Sequence, residues 1–403
     1  MSQERELSPP TITAAPRPFA IDVLVAFGLA LGSSSAQGLG RFAYGLLLPS
    51  MSGALHWSFA TAGLMNTANA LGYLLGALVA APAARRWNPR RLFVSGLIAT
   101  ALLLFAAALT GDVVVLFVLR LATGVAGAVA FVLGGVLATG FSQGRPGGRS
   151  AVLLGIYFSG GGLGVLLSGL ALPPVLRAGP PDDAWRWGWV VLGALAALSV
   201  LLVIPAARRT AAPPPSPDGA RFSPKPIIAT LIAYGLFGVG YIAYMTFIGA
   251  YLEAGGAGTA EVSVFWSVLG ASAIAGGFAW GPMLGRLHGG RALAVLLVVL
   301  AVGAALPLIS TGVVAEFASA LLFGCSFLSV VTAVTTTARH ALPPHRWAAA
   351  IGALTTVFAA GQCAGPVLAG VLSDGGGIGT GLLMSVGILA CAALVALAQP
   401  AAR

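Results

Sequence analysis

Two stretches, GLGRFAYGLLLPSM (Gly38–Met51) and GVGYIAYMTFIGAY (Gly238–Tyr251), lie about 200 residues apart and share a pattern. Two glycines, an alanine and a tyrosine recur at the same spacing in both, and Tyr241 stands where the first stretch has Arg41. Each stretch lies inside a long apolar run, where a charge such as that of Arg41 is costly. Recurrence at a constant offset predicts that a larger unit has been duplicated.

The composition indicates an all-α polytopic membrane protein. Of 403 residues, 58% are hydrophobic and 8% are charged, whereas soluble domains have about 25% charged residues. The net charge of +10 does not indicate nucleic-acid binding, because the basic residues are scattered over short loops without an aromatic-interleaved patch. The three cysteines lie in apolar segments without metal-ligand spacing, so we expect no metal and no cofactor.

Apolar runs of about 20 residues predict about twelve transmembrane helices in two pseudo-symmetric six-helix bundles. We divide the chain into a cytoplasmic tail (1–19), an N-terminal bundle (20–205), a Pro-rich basic linker (206–225) and a C-terminal bundle (226–399). The predicted helices are Ala20–Pro49, Phe59–Ala83, Leu92–Thr110, Val113–Phe141, Ala151–Val175, Gly188–Pro205, Pro226–Leu252, Val262–Leu284, Ala292–Thr311, Val313–Ala338, Ala348–Leu372 and Ile378–Ala398.

The basic residues predict the orientation. Seventeen of the 21 Lys and Arg residues fall on one side of this topology, while only Arg177 and Arg186 fall on the other. Because cytoplasmic loops are enriched in Lys and Arg, both termini and the linker are predicted to be cytoplasmic.

Further repeats support duplication of a six-helix unit. The segment Val113–Gly124 aligns with Val313–Gly324, GYLLG (Gly72–Gly76) with GFAWG (Gly277–Gly281), and GGGLGVLLSG (Gly160–Gly169) with GQCAGPVLAG (Gly361–Gly370). Glycine at every fourth position of GFAWGPMLG also predicts close helix contact at Gly277, Gly281 and Gly285.

The chain resembles the major facilitator superfamily, and GLGRFAYGLLLPSM resembles its YbfB/YjiJ-type bacterial branch. The resemblance implies two bundles that rock around a central cavity in a bacterial inner membrane. Arg120, in RLATG, resembles the arginine motif of the fourth helix. The segment Ala83–Phe93 falls where the superfamily has a basic loop, although it lacks the usual Asp.

Polar residues at bilayer depth are the candidates for solute binding. Ser34, Gln37, Arg41 and Tyr44 follow 3, 4, 3 spacing, which predicts one polar stripe on an α-helix. Interhelical hydrogen bonding is the alternative role for such residues. The predicted substrate-binding residues are Arg41, Tyr44, Gln37, Asn69, Arg120, Tyr157, Tyr241, Tyr244 and Gln362.

We interpret the protein as a secondary active transporter of a small organic anion, such as a monocarboxylate. Two intramembrane arginines outnumber the one shallow acid, Glu316, which is the predicted proton carrier if protons are the coupling ion. The alternatives are efflux of amphipathic drugs, or a non-transporting channel or receptor. No HExxH motif, GxSxG motif or intramembrane Asp pair indicates an enzyme, and no ATP-binding loop is present.

Overall fold

The computed structural model describes residues 18–143, 148–210, 223–287, 289–310, 312–343 and 346–401. Most of the predicted tail (1–19) and of the predicted linker (206–225) lies outside the described residues. The division of the chain at this linker therefore stays a prediction.

The prediction of about twelve membrane helices is confirmed, and the described part contains no strand. Large apolar side chains cover the outside of the helices; Leu24, Val114, Leu201 and Leu394 are all more than 60% exposed, as expected for a surface that faces lipid. The helices are α1 Phe19–Leu55, α2 Phe59–Arg86, α3 Pro89–Ala107, α4 Val113–Ser142, α5 Arg149–Ala178, α6 Ala184–Arg208, α7 Lys225–Ala254, α8 Thr259–Ala279, α9 Arg291–Ile309, α10 Val313–Ala341, α11 Trp347–Gly376 and α12 Ile378–Leu397.

The ends of several helices follow from local sequence signals. The Asp112 carboxylate accepts a hydrogen bond from the Val115 amide at 2.9 Å and so caps the start of α4. The predicted helix Val262–Leu284 is interrupted. In the structure α8 ends at Ala279, and Pro282 lies near the start of a separate short helix, Gly281–Arg286. Proline has no amide hydrogen and fits the first turn of a helix better than its interior.

Glycine contacts show the duplication and correct its register. A Cβ atom at Gly76 would overlap the backbone of Val125, and one at Gly276 would overlap Cys325, so α2–α4 and α8–α10 pack alike at a constant offset. The alignment of Gly72 with Gly277 is therefore wrong. The expected close contacts at Gly277 and Gly281 are also wrong, since space is open around both.

The two bundles meet where α2 packs on α11, α5 on α8, and the second half of α1 on α7. In the described part, the hydrogen bonds that cross between the bundles lie between the level of Arg41 and the membrane face at the start of α2 and the end of α11. We call the membrane face at the start of α2 and the end of α11 the sealed face, and the hydrogen bonds that join the bundles there the seal. The basic-residue distribution predicts that this face is external. The donor and acceptor pairs are Arg41–Gln362, Asn66–Thr246, Thr67–Cys363, Ser263–Gly169, Phe59–Asp374 and Ala60–Asp374.

Candidate solute site

A π-helical segment, Ser34–Phe42, interrupts α1 and carries Gln37 and Arg41. The Ala43 amide donates to the Gly38 carbonyl oxygen, five residues back, at 2.8 Å. At Gly38 the backbone of α1 lies directly against Gly164 of α5, with no room for a side chain. A π-helical turn holds more residues than an α-helical turn, so side chains beyond it point in other directions than α-helical spacing predicts.

Arg41 lies at the junction of the two bundles and is only 3% exposed. Its Nη2 donates to Gln362 Oε1 at 2.6 Å, and its guanidinium carbon lies 4.9 Å from the centroid of the Tyr73 ring. Its Nε is buried without a hydrogen-bond partner. No Asp or Glu in the described ranges forms a salt bridge with Arg41. The described groups that contact its guanidinium are neutral.

The hydrogen-bond chain beyond Arg41 has a defined direction. Because a guanidinium can only donate, the Gln362 atom bound to it is the amide oxygen, and the amide nitrogen donates to the hydroxyl oxygen of Tyr241. The Tyr241 ring stacks on Phe237 and Phe358 at centroid distances of 4.7 and 5.6 Å. Gln37 contacts the Tyr73 hydroxyl at 3.3 Å, and its Oε1 is buried without a partner. The predicted residues Gln37, Arg41, Tyr241 and Gln362 thus form one cluster.

Three other predicted residues, Tyr44, Asn69 and Arg120, form a second cluster behind Arg41. Arg120 is 2% exposed and donates to the Gly40 carbonyl oxygen at 3.0 Å. Asn69 donates to the same carbonyl at 3.4 Å. The Arg120 guanidinium lies over the Tyr44 ring at 4.8 Å, while the Tyr44 hydroxyl donates to the Ala62 carbonyl at 2.8 Å. The expected single stripe of Gln37, Arg41 and Tyr44 is therefore divided between two clusters.

The remaining two predicted residues, Tyr157 and Tyr244, lie apart from both clusters. Tyr157 donates to the Phe131 carbonyl at 2.6 Å, and the Tyr244 hydroxyl pairs with Ser319 Oγ at 2.5 Å. Both side chains are fully buried. Their hydroxyls are hydrogen-bonded within their own bundles.

The predicted site omitted Tyr73, whose ring lies beside the Arg41 guanidinium, and Asn66, which accepts a hydrogen bond from Arg120. Tyr73 shares a face of α2 with Asn69, and this spacing is the signal that indicates its inward position. Asp22, in the first turn of α1, is 1% exposed, whereas Glu316 is only partly buried. Glu316 is therefore not the only acid inside a bundle. No group of three or more His, Cys, Asp and Glu suited to a metal ion occurs among the residues that the structure describes.

Twelve membrane helices in two repeated bundles, with a buried polar cluster at their junction, define the architecture of a major facilitator superfamily transporter. A profile of the family described as "Uncharacterised MFS-type transporter YbfB" matches residues 33–397. The chain belongs to this family.

Relatives of known structure support the same fold. A point mutant of the nucleoside transporter NupG superposes with a TM-score of 0.74 at 16% identity, covering 94% of this chain and 99% of that chain. A bacterial homologue of the human lysosomal transporter Spinster, in an inward-facing and occupied conformation, gives a TM-score of 0.72 at 17% identity and covers 95% and 97% of the two chains.

One curated relative is similar in sequence. A chloramphenicol resistance protein of Streptomyces lividans is 32% identical over 280 residues, which are 65% of this chain and 66% of that protein. The similarity thus spans slightly less than two thirds of either chain.

Proposed function

We propose that the protein is a secondary active transporter that carries a small organic anion, such as a monocarboxylate, across a bacterial inner membrane by alternating access. The observation that supports the solute class most is Arg41, a buried cation at the junction of the bundles whose only side-chain acceptor among the described residues is a neutral amide. In the proposed orientation both termini are cytoplasmic, and the bundles are sealed on the external side.

The physical argument concerns charge in a poorly polarisable environment. An unpaired buried cation attracts an anion strongly and repels organic cations. A guanidinium also matches the geometry of a carboxylate, because two parallel N–H groups meet two oxygens. Gln37 and Tyr241 supply further polar atoms beside Arg41. Tyr44, Asn69 and Arg120 belong to the proposed site as its supporting layer. Tyr157 and Tyr244 lie apart from this layer, and their part in substrate binding stays a prediction.

Replacement of Arg41 tests the proposal. Arg41→Lys keeps the charge and loses the planar fork, so we expect monocarboxylate affinity to fall by roughly tenfold or more. Arg41→Ala removes the charge as well, and we expect transport to be abolished. The measurement is uptake of radiolabelled monocarboxylates into proteoliposomes, with and without an imposed proton gradient, which also separates proton coupling from uniport.

A matched control is needed because Arg41 also hydrogen-bonds to Gln362. Retention of the detergent-solubilised protein as a monodisperse peak, with a melting temperature near that of wild type, shows that each variant folds. Undiminished transport of every carboxylate by folded Arg41→Ala protein would contradict the proposed solute class.

Drug efflux is the second candidate, and the Streptomyces lividans relative favours it. The stacked rings around Tyr241, including Phe237 and Phe358, offer flat apolar surfaces to an amphipathic compound. Such recognition depends little on a fixed cation. Expression that protects cells from chloramphenicol, with equal protection by Arg41→Ala, would favour efflux over anion transport.

A further inference from the structure

The hydrogen bond between Arg41 and Gln362 crosses from one bundle to the other. Arg41 belongs to α1 and Gln362 to α11, and their side chains meet at 2.6 Å across 321 residues of sequence. One residue further along α11, the Cys363 carbonyl accepts a hydrogen bond from Thr67 of α2 at 2.8 Å. Gln362 therefore lies at the inner limit of the seal between the bundles.

Gln362 occupies only part of the binding edge of Arg41. Nε–H and one Nη2–H of a guanidinium point in parallel along one edge, which is the edge that a carboxylate can bind with both oxygens. The amide of Gln362 has a single oxygen, and this oxygen is bound to Nη2. Nε is left without a partner although it is buried.

The unpaired Nε makes the bond to Gln362 replaceable. A buried donor without an acceptor is destabilising, and a carboxylate that accepts two parallel N–H···O bonds binds a guanidinium more strongly than the single oxygen of a neutral amide does. A solute carboxylate would satisfy Nη2 and Nε together and would also neutralise the charge. Gln362 has a second bond to the Tyr241 hydroxyl that holds it within the C-terminal bundle after its release.

We infer that Gln362 is a built-in competitor that occupies the anion-binding edge of Arg41 in the empty transporter and is displaced by the solute's carboxylate. This inference rests on the proposed function. Displacement removes one of the hydrogen bonds that join the bundles on the sealed side, so solute binding weakens the seal at this one contact. An allosteric link between binding and movement requires a contact that differs between the two states, and this bond is such a contact.

The competitor role and a plain ligand role predict opposite results for one variant. Gln362→Met keeps the length and approximate volume of the side chain but has no strong acceptor. If Gln362 competes with the solute, loss of its amide should tighten carboxylate binding by about tenfold. This factor corresponds to the free energy of one hydrogen bond to a charged group. If Gln362 instead binds the solute directly, the same change should weaken binding.

Gln362→Glu provides the complementary test. It places a permanent carboxylate on Arg41, and we expect solute binding to fall by at least a hundredfold because the competitor is then charged. Thr67→Val is the matched control, since it removes the neighbouring cross-bundle hydrogen bond without touching Arg41. Binding by this control should stay within about twofold of wild type.

The measurement is the dissociation constant of the purified full-length protein for monocarboxylates from acetate to benzoate, by isothermal titration calorimetry. Tighter binding by Gln362→Met with loss of binding by Gln362→Glu supports the inference. Weaker binding by Gln362→Met, while Arg41→Ala abolishes binding, overturns the inference and leaves the anion assignment intact. Failure of wild type and all variants to bind any of these carboxylates overturns the anion assignment and the inference with it.

Discussion

At the scale of single residues, the two buried arginines have different surroundings. Arg41 faces the junction of the bundles and has one neutral acceptor, whereas Arg120 binds the Gly40 carbonyl and Asn66 within its own bundle. Arg120 also lies over the rings of Tyr44 and Trp189. The carbonyl that Arg120 holds belongs to the residue just before Arg41. Arg120 thus fixes the backbone from which Arg41 extends.

We expect Arg120→Lys to lower stability more than Arg41→Lys does. A lysine ammonium cannot reproduce the planar contact with two rings or the separate bonds to Gly40 and Asn66. The free energy of unfolding of the Arg120→Lys variant should fall by about 1–3 kcal/mol, because buried acceptors are left without their donor. The measurement is the apparent melting temperature in detergent, compared between the two lysine variants. Equal melting temperatures would show that Arg120 does not support the π-helical segment.

The residues also show which part of the site was predictable. Gln37, Arg41, Tyr241 and Gln362 are candidates in the sequence because polar side chains are rare at bilayer depth, and their role in binding stays a prediction. Their pairing was not predictable, since Arg41 and Gln362 are 321 residues apart and no sequence period joins them. Asp22 was missed because its place in the first turn of a helix is typical of an acid that reaches water.

At the scale of elements, α1 departs most from its sequence pattern. Hydropathy predicted its presence and approximate ends, but α-helical spacing was assumed throughout, and the π-helical segment Ser34–Phe42 redirects the side chains after it. The segment coincides with the close contact between Gly38 and Gly164. A glycine pair that lets two backbones touch is visible in the sequence, but the change in helical pitch is not.

Gly38→Ala tests whether this contact supports the candidate site. The added methyl group would meet backbone atoms of Gly164, which cannot rotate away. We expect overpacking to lower the free energy of unfolding by about 1–3 kcal/mol. We also expect weaker carboxylate binding, because Arg41 shifts. The measurements are the apparent melting temperature and the dissociation constant.

The control for this variant lies in the same helix. At Gly53 an added Cβ atom has open space around it, so Gly53→Ala should leave binding unchanged and should stabilise the helix by up to about 1 kcal/mol. Similar behaviour of the two alanine variants would contradict a specific role for the Gly38–Gly164 contact.

At the scale of the whole molecule, the repeat was visible in the sequence and its register was not. Four apolar matches in the same order predicted the duplication, but glycine is so frequent in this chain that Gly76 was aligned with Gly281, whereas Gly276 makes the equivalent contact. Helix number followed from hydropathy alone. The face on which the bundles meet could not be predicted, because hydropathy and repeats give the number of helices and not the contacts between the two bundles.

The sealed face has an electrostatic contact at its rim. Asp374, at the end of α11, accepts hydrogen bonds from the Phe59 amide at 2.7 Å and the Ala60 amide at 3.0 Å. These amides belong to the first turn of α2, where helix geometry provides no acceptor and the helix dipole favours an anion. The C-terminal bundle thus caps a helix of the N-terminal bundle, and in the proposed alternating-access cycle this contact breaks when the face opens.

Asp374→Asn should therefore shift the molecule towards the arrangement that is open on this face. The substitution keeps one acceptor and loses the charge. A charge at a helix N-terminus contributes about 1 kcal/mol of stabilisation. Its loss changes the ratio of the closed to the open arrangement about fivefold. Met245, which is 1% exposed and precedes Thr246 of the cross-bundle hydrogen bond to Asn66, is a suitable reporter. In a background with the native cysteines replaced, Met245→Cys should react about fivefold faster with an impermeant maleimide added to intact cells.

Asp112→Asn is the matched control, because Asp112 caps α4 with the same chemistry inside one bundle. Losing its charge should weaken that helix terminus similarly without joining or separating the bundles, so labelling of Cys at position 245 should stay at its original rate. Equal acceleration by both variants would mean that the label reports general loosening rather than opening. No acceleration by Asp374→Asn would show that the packing of α2 on α11 and of α5 on α8 holds the face closed without this cap.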